Sequence, residues 1–84
     1  MHYLDVILKG ACDGLDFERE CEDTETICEA VFNTNYGSCN IHCKSLGLVC
    51  EGGWNNGEGC NKEWGSPNRC DKEYGDQICR CKKG

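Results

Sequence analysis

The sequence predicts a small, disulfide-rich, mainly α domain. Two principal helices, about 15–32 and 39–46, plus short helical turns, are stapled by five disulfides. Three observations predict it. Ten of the 84 residues are cysteine, a density that marks a disulfide scaffold. Phe17, Cys21, Thr24, Cys28 and Val31 recur at alternating steps of four and three, which draws one stripe along a helix. Cys39 and Cys43 stand four apart and would share a helix face.

In the first helix, Leu15, Ile27 and Phe32 widen the apolar stripe. Eight acids lie between Asp13 and Glu29 against Arg19 alone. They would occupy the other faces, and those in the early turns suit the helix dipole. The turn-rich Asn33-Thr34-Asn35-Tyr36-Gly37 stops the helix. In the second, Ser38 is an N-cap and Gly47 a C′ residue, with Leu46 extending the cysteine face. A repeat follows. Cys60-Asn-Lys-Glu-Trp64-Gly65 and Cys70-Asp-Lys-Glu-Tyr74-Gly75 share one pattern, with a looser copy at Cys50-Glu-Gly-Gly-Trp54. Each strong copy reads as a helical turn ended by Gly; duplication and chance convergence both account for the likeness.

A chain of this length is one domain, residues 1–84, and its core is small enough to need staples. Residues 1–11 form an N-terminal extension, and Met1 reads as an addition to a mature chain. Cys12, Cys21, Cys28, Cys39, Cys43, Cys50, Cys60, Cys70, Cys79 and Cys81 can all pair, in any of on the order of a thousand connectivities. Three precede the Asn33–Gly37 turn and seven follow it. Both counts are odd, so complete pairing within the chain sends at least one bridge across that turn. Bridges persist outside the cytosol, which implies a secreted, extracellular protein. Tyr3–Leu8 is too short and too polar for a signal core, and no stretch is long and apolar enough to span a membrane.

The net charge of −6 argues against nucleic acid and against anionic membranes as partners. The acidic segment is either a solvated face or a docking face for a cationic partner. No nucleophile elbow, phosphate loop or zinc-protease motif is present, and the chain has little volume for a substrate cleft. No enzymatic activity is expected, and no cofactor. Cys39-Asn-Ile-His42-Cys43 lacks the order of a haem site, and zinc would need reduced thiolates, with only His2 to accompany His42. Residues 54–59 lack the spacing of an EF-hand and read as a tight turn. No metal site is expected.

The aromatic residues carry the binding expectation. Trp54, Trp64, Tyr36 and Tyr74 either pack against the disulfides or anchor a partner. Trp54, flanked by Gly53 and by Asn55 and Asn56, is the expected exposed anchor. The candidate partner-binding set is Trp54, Asn55, Asn56, Trp64 and Tyr74.

Two resemblances add to this reading. Cys39-x3-Cys43 with Cys79-x-Cys81, together with Ser38-Cys39-Asn40 and Cys43-Lys44-x-Leu46-Gly47, resembles the cysteine-stabilised αβ skeleton of defensins, scorpion toxins and macins. It implies that the helix cysteines pair with the strand cysteines, and it is the alternative fold. The Gly-x-Cys strand element of those families is absent, since Cys50 follows Leu48-Val49, and the acidic charge departs from cationic antimicrobial macins. The length, the ten separated cysteines and the helical reading of the first half are similar to large ten-cysteine venom polypeptides of cone snails, the saposin-like macro-conotoxins. That resemblance implies a secreted neurotoxin that binds and modulates a neuronal ion channel or receptor, without membrane lysis, and leaves homodimerisation open. An extracellular interaction module or protease inhibitor is the alternative function, and an antimicrobial peptide the third.

Overall fold

The computed structural model describes residues 10–84. Its elements are β1 (Arg19–Asp23), β2 (Ile27–Asn33), α1 (Cys39–Ser45), β3 (Leu48–Glu58), β4 (Asn61–Lys62) and β5 (Asp76–Lys83). The strands form one antiparallel sheet in the order β1-β2-β5-β3-β4. The described residues are therefore mainly β, with one short helix among them, and the expected mainly α, two-helix architecture is overturned.

The helix expected over 15–32 is a hairpin of β1 and β2. Thr24 N–H donates to the Ile27 carbonyl at 2.8 Å, and Thr24 Oγ1 accepts the Ile27 N–H at 2.9 Å. The threonine thus offers the backbone a turn in place of a helix. Beyond it, Ile27, Val31 and Phe32 favour a pleated surface. Cys28, Ala30 and Phe32 take one face of β2 and Ile27, Glu29 and Val31 the other. From Cys28 to Phe32 both faces are buried, so the strand carries no polar face to betray it. Most of the acids lie on exposed β1 and the turns around it, not around a helix.

Over the second segment α1 does form. Ser38 Oγ accepts the Ile41 N–H at 3.2 Å as N-cap, and Gly47 takes φ +78° just past the C-terminus. The helix lies on the face of the sheet that carries Cys28, Ala30, Phe32, Cys79 and Cys81. Cys39 bonds Cys79 and Cys43 bonds Cys81. The match is geometric: four residues of helix advance about 6 Å and two of strand about 7 Å. Ala11, Cys12, Cys28, Ala30, Phe32, Cys39, Cys43, Cys79 and Cys81 make the core. Gly53 lets α1 close on β3, because a Cβ there would stand 2.7 Å from both Cys39 Sγ and the Arg69 carbonyl.

The remaining bridges are Cys12–Cys28, Cys21–Cys60 and Cys50–Cys70. Cys21–Cys60 is the one that crosses the Asn33–Gly37 turn. It also joins the two edges of the sheet. Strands about 4.8 Å apart would put the outer pair of a flat five-stranded sheet roughly 19 Å apart. The Cα atoms of Cys21 and Cys60 are 5.5 Å apart. The sheet is thus curled into a half-barrel, with bulges in β1 and β3 supplying the bend.

Neither residues 60–65 nor residues 70–75 form the expected short helical turn. In the first copy of the repeat, Asn61–Lys62 is a strand and Glu63–Ser66 a turn. In the second, Glu73 makes an isolated bridge with Ser38. The two copies share sequence without sharing conformation. Residues 54–58, read as a turn, belong to β3. Most of the expected 1–11 extension, with His2, lies outside the described residues; Ala11 is buried, and its N–H donates to the Thr24 carbonyl.

Candidate functional site

The concave face of the half-barrel collects the charges. Register places Val31 opposite Ile78 and Ile78 opposite Trp54, and Val31 and Ile78 are fully or almost fully buried. Beside this apolar row sits Arg80. Its Nη1 donates to Glu22 at 2.9 Å and to Glu29 at 3.1 Å, and its Nε reaches Glu51 at 3.4 Å. Lys62 approaches Glu29 at 3.7 Å, and Lys82 approaches Glu51 at 3.8 Å. Three carboxylates thus meet three cations. The hydrogen bonds it donates to Glu22 and then to Glu29 raise the guanidinium pKa, which keeps Arg80 charged at any working pH. The charges are thus largely balanced within the cluster, which ties β1, β2, β3, β4 and β5 together.

Trp54 belongs to the same face. It is half-buried on β3, with Lys62 Nζ 3.8 Å from its ring centroid. Such a contact holds the ring in place by cation–π attraction. The expectation that Trp54 is the exposed anchor is therefore corrected: it is a packed strand residue. Asn55 and Asn56 follow it on β3. The Asn55 side-chain amide donates to the Glu63 carboxylate, and its carbonyl accepts the Glu63 N–H at 2.9 Å. Asn56 pairs with Lys62.

Glu63 in turn positions Trp64, which is 97 % exposed. Ser66 N–H and Ser66 Oγ both donate to the Glu63 carbonyl, at 3.0 and 2.8 Å, and Gly65 takes φ +83°. The rest of the loop is pinned. Cys70 bonds Cys50, Arg69 N–H donates to the Gly53 carbonyl at 3.0 Å, and Asn40 N–H donates to the Cys70 carbonyl at 2.8 Å. Arg69 also forks onto Asp71, at 2.9 and 2.7 Å, and the bond lowers the Asp71 pKa. A fully exposed indole thus stands on a fixed turn. Of the five candidate residues, Trp54, Asn55, Asn56 and Trp64 come together through Glu63 and Lys62. Tyr74 does not join them; it is half-buried, and its carbonyl accepts the Thr34 hydroxyl at 2.7 Å.

Two residues outside the candidate set also matter. Tyr36, read as an aromatic in a turn-rich run but left out of the set, is 78 % exposed with φ 64°, as suits the left-handed turn of Asn35-Tyr36-Gly37. Gln77 is fully buried and fastens this turn by donating to Thr34 Oγ1 at 2.9 Å and to the Gly37 carbonyl at 2.8 Å. No sequence signal separates it from an exposed strand Gln. Cys12, Glu20 and Asp23 bring potential ligand atoms within 4.8 Å of one another. Cys12 is bonded to Cys28 and offers no thiolate, and Asp23 already accepts the Cys12 N–H at 3.0 Å.

All ten cysteines are in bridges, the state of an oxidising, typically extracellular compartment. Among the described residues no helix is long and apolar enough to cross a membrane. The chain matches no protein-family model, and no curated protein or solved structure is significantly similar to it.

Proposed function

We propose that the chain is a secreted, disulfide-locked polypeptide toxin that binds and modulates a neuronal ion channel or receptor, with Trp64 at the centre of the contact. The observation that carries this reading is the exposed Trp64 indole on its pinned turn. Trp is enriched among residues that dominate binding energy, and a turn fixed in advance loses little freedom on binding. The charge supports a protein target over a lipid one, since −6 disfavours anionic membranes. Whole-cell recording from sensory neurons with the oxidised protein tests it. A current should change with wild type and recover toward baseline with Trp64→Ala. No change in any current at micromolar protein would reject it.

A second reading has one observation of its own. Residues 66–69 carry no regular structure and are closed by the Cys50–Cys70 bridge, a form that a protease cleft accepts. Tight inhibition of a serine protease, with no effect on currents, would select this reading.

A further inference from the structure

We propose that the groove between residues 16–18 and α1 binds a guanidinium group, presented as an arginine side chain by a protein partner. The groove is separate from the Trp64 turn. It holds about 250 Å³ and is lined by Asp16, Phe17, Glu18, Asn33, His42 and Leu46. That is below the range of about 300–1,000 Å³ in which whole small molecules bind, and it suits a single side chain.

Its floor is aromatic. Phe17 meets Phe32 edge-on at 6.3 Å, and the His42 ring lies 4.5 Å from Phe32. Its rim is acidic, with Asp16 and Glu18 in the lining and Asp76 near enough to raise the Glu18 pKa. Among the described residues no Lys or Arg lines it. Burial lowers the His42 pKa, so the imidazole is neutral near pH 7 and brings no competing charge. Its Nε2 is buried without a hydrogen-bond partner. The Glu18 carboxyl holds its proton above the ordinary range, through burial and then the neighbouring Asp76. A cation at this rim would relieve the repulsion between the two acids.

Aromatic floor and carboxylate rim together select arginine. Its plane stacks on aromatic faces while its fork meets carboxylates, whereas an ammonium is a compact, strongly hydrated point charge. The nearby charge agrees: Asp16 and Glu18 line the groove, and Asp76, paired with Asn33 in the sheet, adds a third acid at the same end.

The inference extends the proposed function to a second contact, and its test involves no channel, so the two can fail separately. The oxidised, 15N-labelled chain is titrated with Nα-acetyl-arginine methylamide and, in parallel, with its uncharged citrulline counterpart. The arginine probe should give saturable, millimolar amide shifts confined to residues 16–18, Asn33 and 42–46, and citrulline should give none there. Glu18→Gln should weaken the arginine response by up to about fivefold, the size of one exposed charge pair, with the rest of the spectrum unchanged. Asp16→Asn serves as a second variant should Glu18→Gln disturb the fold. Equal shifts from citrulline, shifts scattered over the other acidic surfaces, or no saturable shift would overturn the proposal.

Discussion

Lys62 Nζ reaches Glu29 at 3.7 Å although β5 and β3 stand between their strands in the sheet. Only a curled sheet allows this, and Cys21–Cys60 holds the curl from the edges. Replacing both cysteines by Ser should destabilise the domain by about 2–4 kcal/mol, as for a long loop released by a lost bridge. It should also separate Lys62 from Glu29. Denaturant unfolding measures the first and amide shifts along β1 and β4 the second. An unchanged midpoint would show that the curl holds without the bridge.

The two adjacent glycines of β3 should differ in their tolerance of a methyl group. At Gly53 a Cβ meets the Arg69 carbonyl and Cys39 Sγ, both fixed, at 2.7 Å. Gly53→Ala should cost about 1–3 kcal/mol, as overpacking does. At Gly52 the nearest atom is the end of the Asn68 side chain, which can swing aside, and only the tip of the Trp54 ring then stands close. Thermal unfolding of the two variants should place Gly52→Ala closer to wild type. The reverse order would contradict the close approach of α1 to β3.

The two tryptophans should separate stability from binding. Trp54→Ala removes a half-buried ring and its contact with Lys62, and should cost about 1–3 kcal/mol of stability. Trp64→Ala removes an exposed ring and should stay within about 0.5 kcal/mol of wild type. If Trp64 is the anchor, its loss should weaken binding by at least about 1 kcal/mol. Paired unfolding and recording experiments on both variants test this, and a stability loss confined to Trp64→Ala would refute it.

Stability should depend on pH through two opposing groups. Burial, then the charge and hydrogen bond of Asp76, raises the Glu18 pKa above its ordinary 4.5. The folded state holds that proton more tightly, so the contribution is complete below 4.5 and is lost as pH rises through the raised value. Burial lowers the His42 pKa below 6.5, so its contribution is complete above 6.5 and is lost as pH falls through the lowered value. Glu18→Gln should remove the decline above pH 4.5, and His42→Gln the loss below pH 6.5. Urea midpoints measured across this window test both signs. Wild-type slopes in both variants would show that neither group is perturbed.

The helix α1 was legible because its signals are local. Ser38, Gly47 and the four-residue step from Cys39 to Cys43 all sit within ten residues. The pairing of those cysteines with Cys79 and Cys81 was legible only through a resemblance, since spacing alone permits many others. The β1–β2 hairpin was hidden by an ambiguity of period. A step of seven, as from Cys21 to Cys28, is two turns of helix and returns to the same face, whereas in a strand an odd step changes face. Here the chain also reverses between them, and the two cysteines go to different bridges. Trp54 and Trp64 each sit beside glycine or asparagine, or both, and no local feature distinguishes them. Their burial follows from register: Trp54 falls opposite Ile78, and Trp64 falls past the end of β4.

The strand at the heart of the sheet is the last one in the chain. β5 lies between β2 and β3, and it holds the partners of both helix cysteines. β1–β2 and α1–β3 thus precede the strand that lies between them, with Cys21–Cys60 the one bridge able to tie them, and Cys39 and Cys43 lack their partners until residues 79–81 are made. Closure of the sheet therefore waits on the strand made last of the five, and any wrong bridge formed earlier among the first eight cysteines must be undone by thiol–disulfide exchange before it.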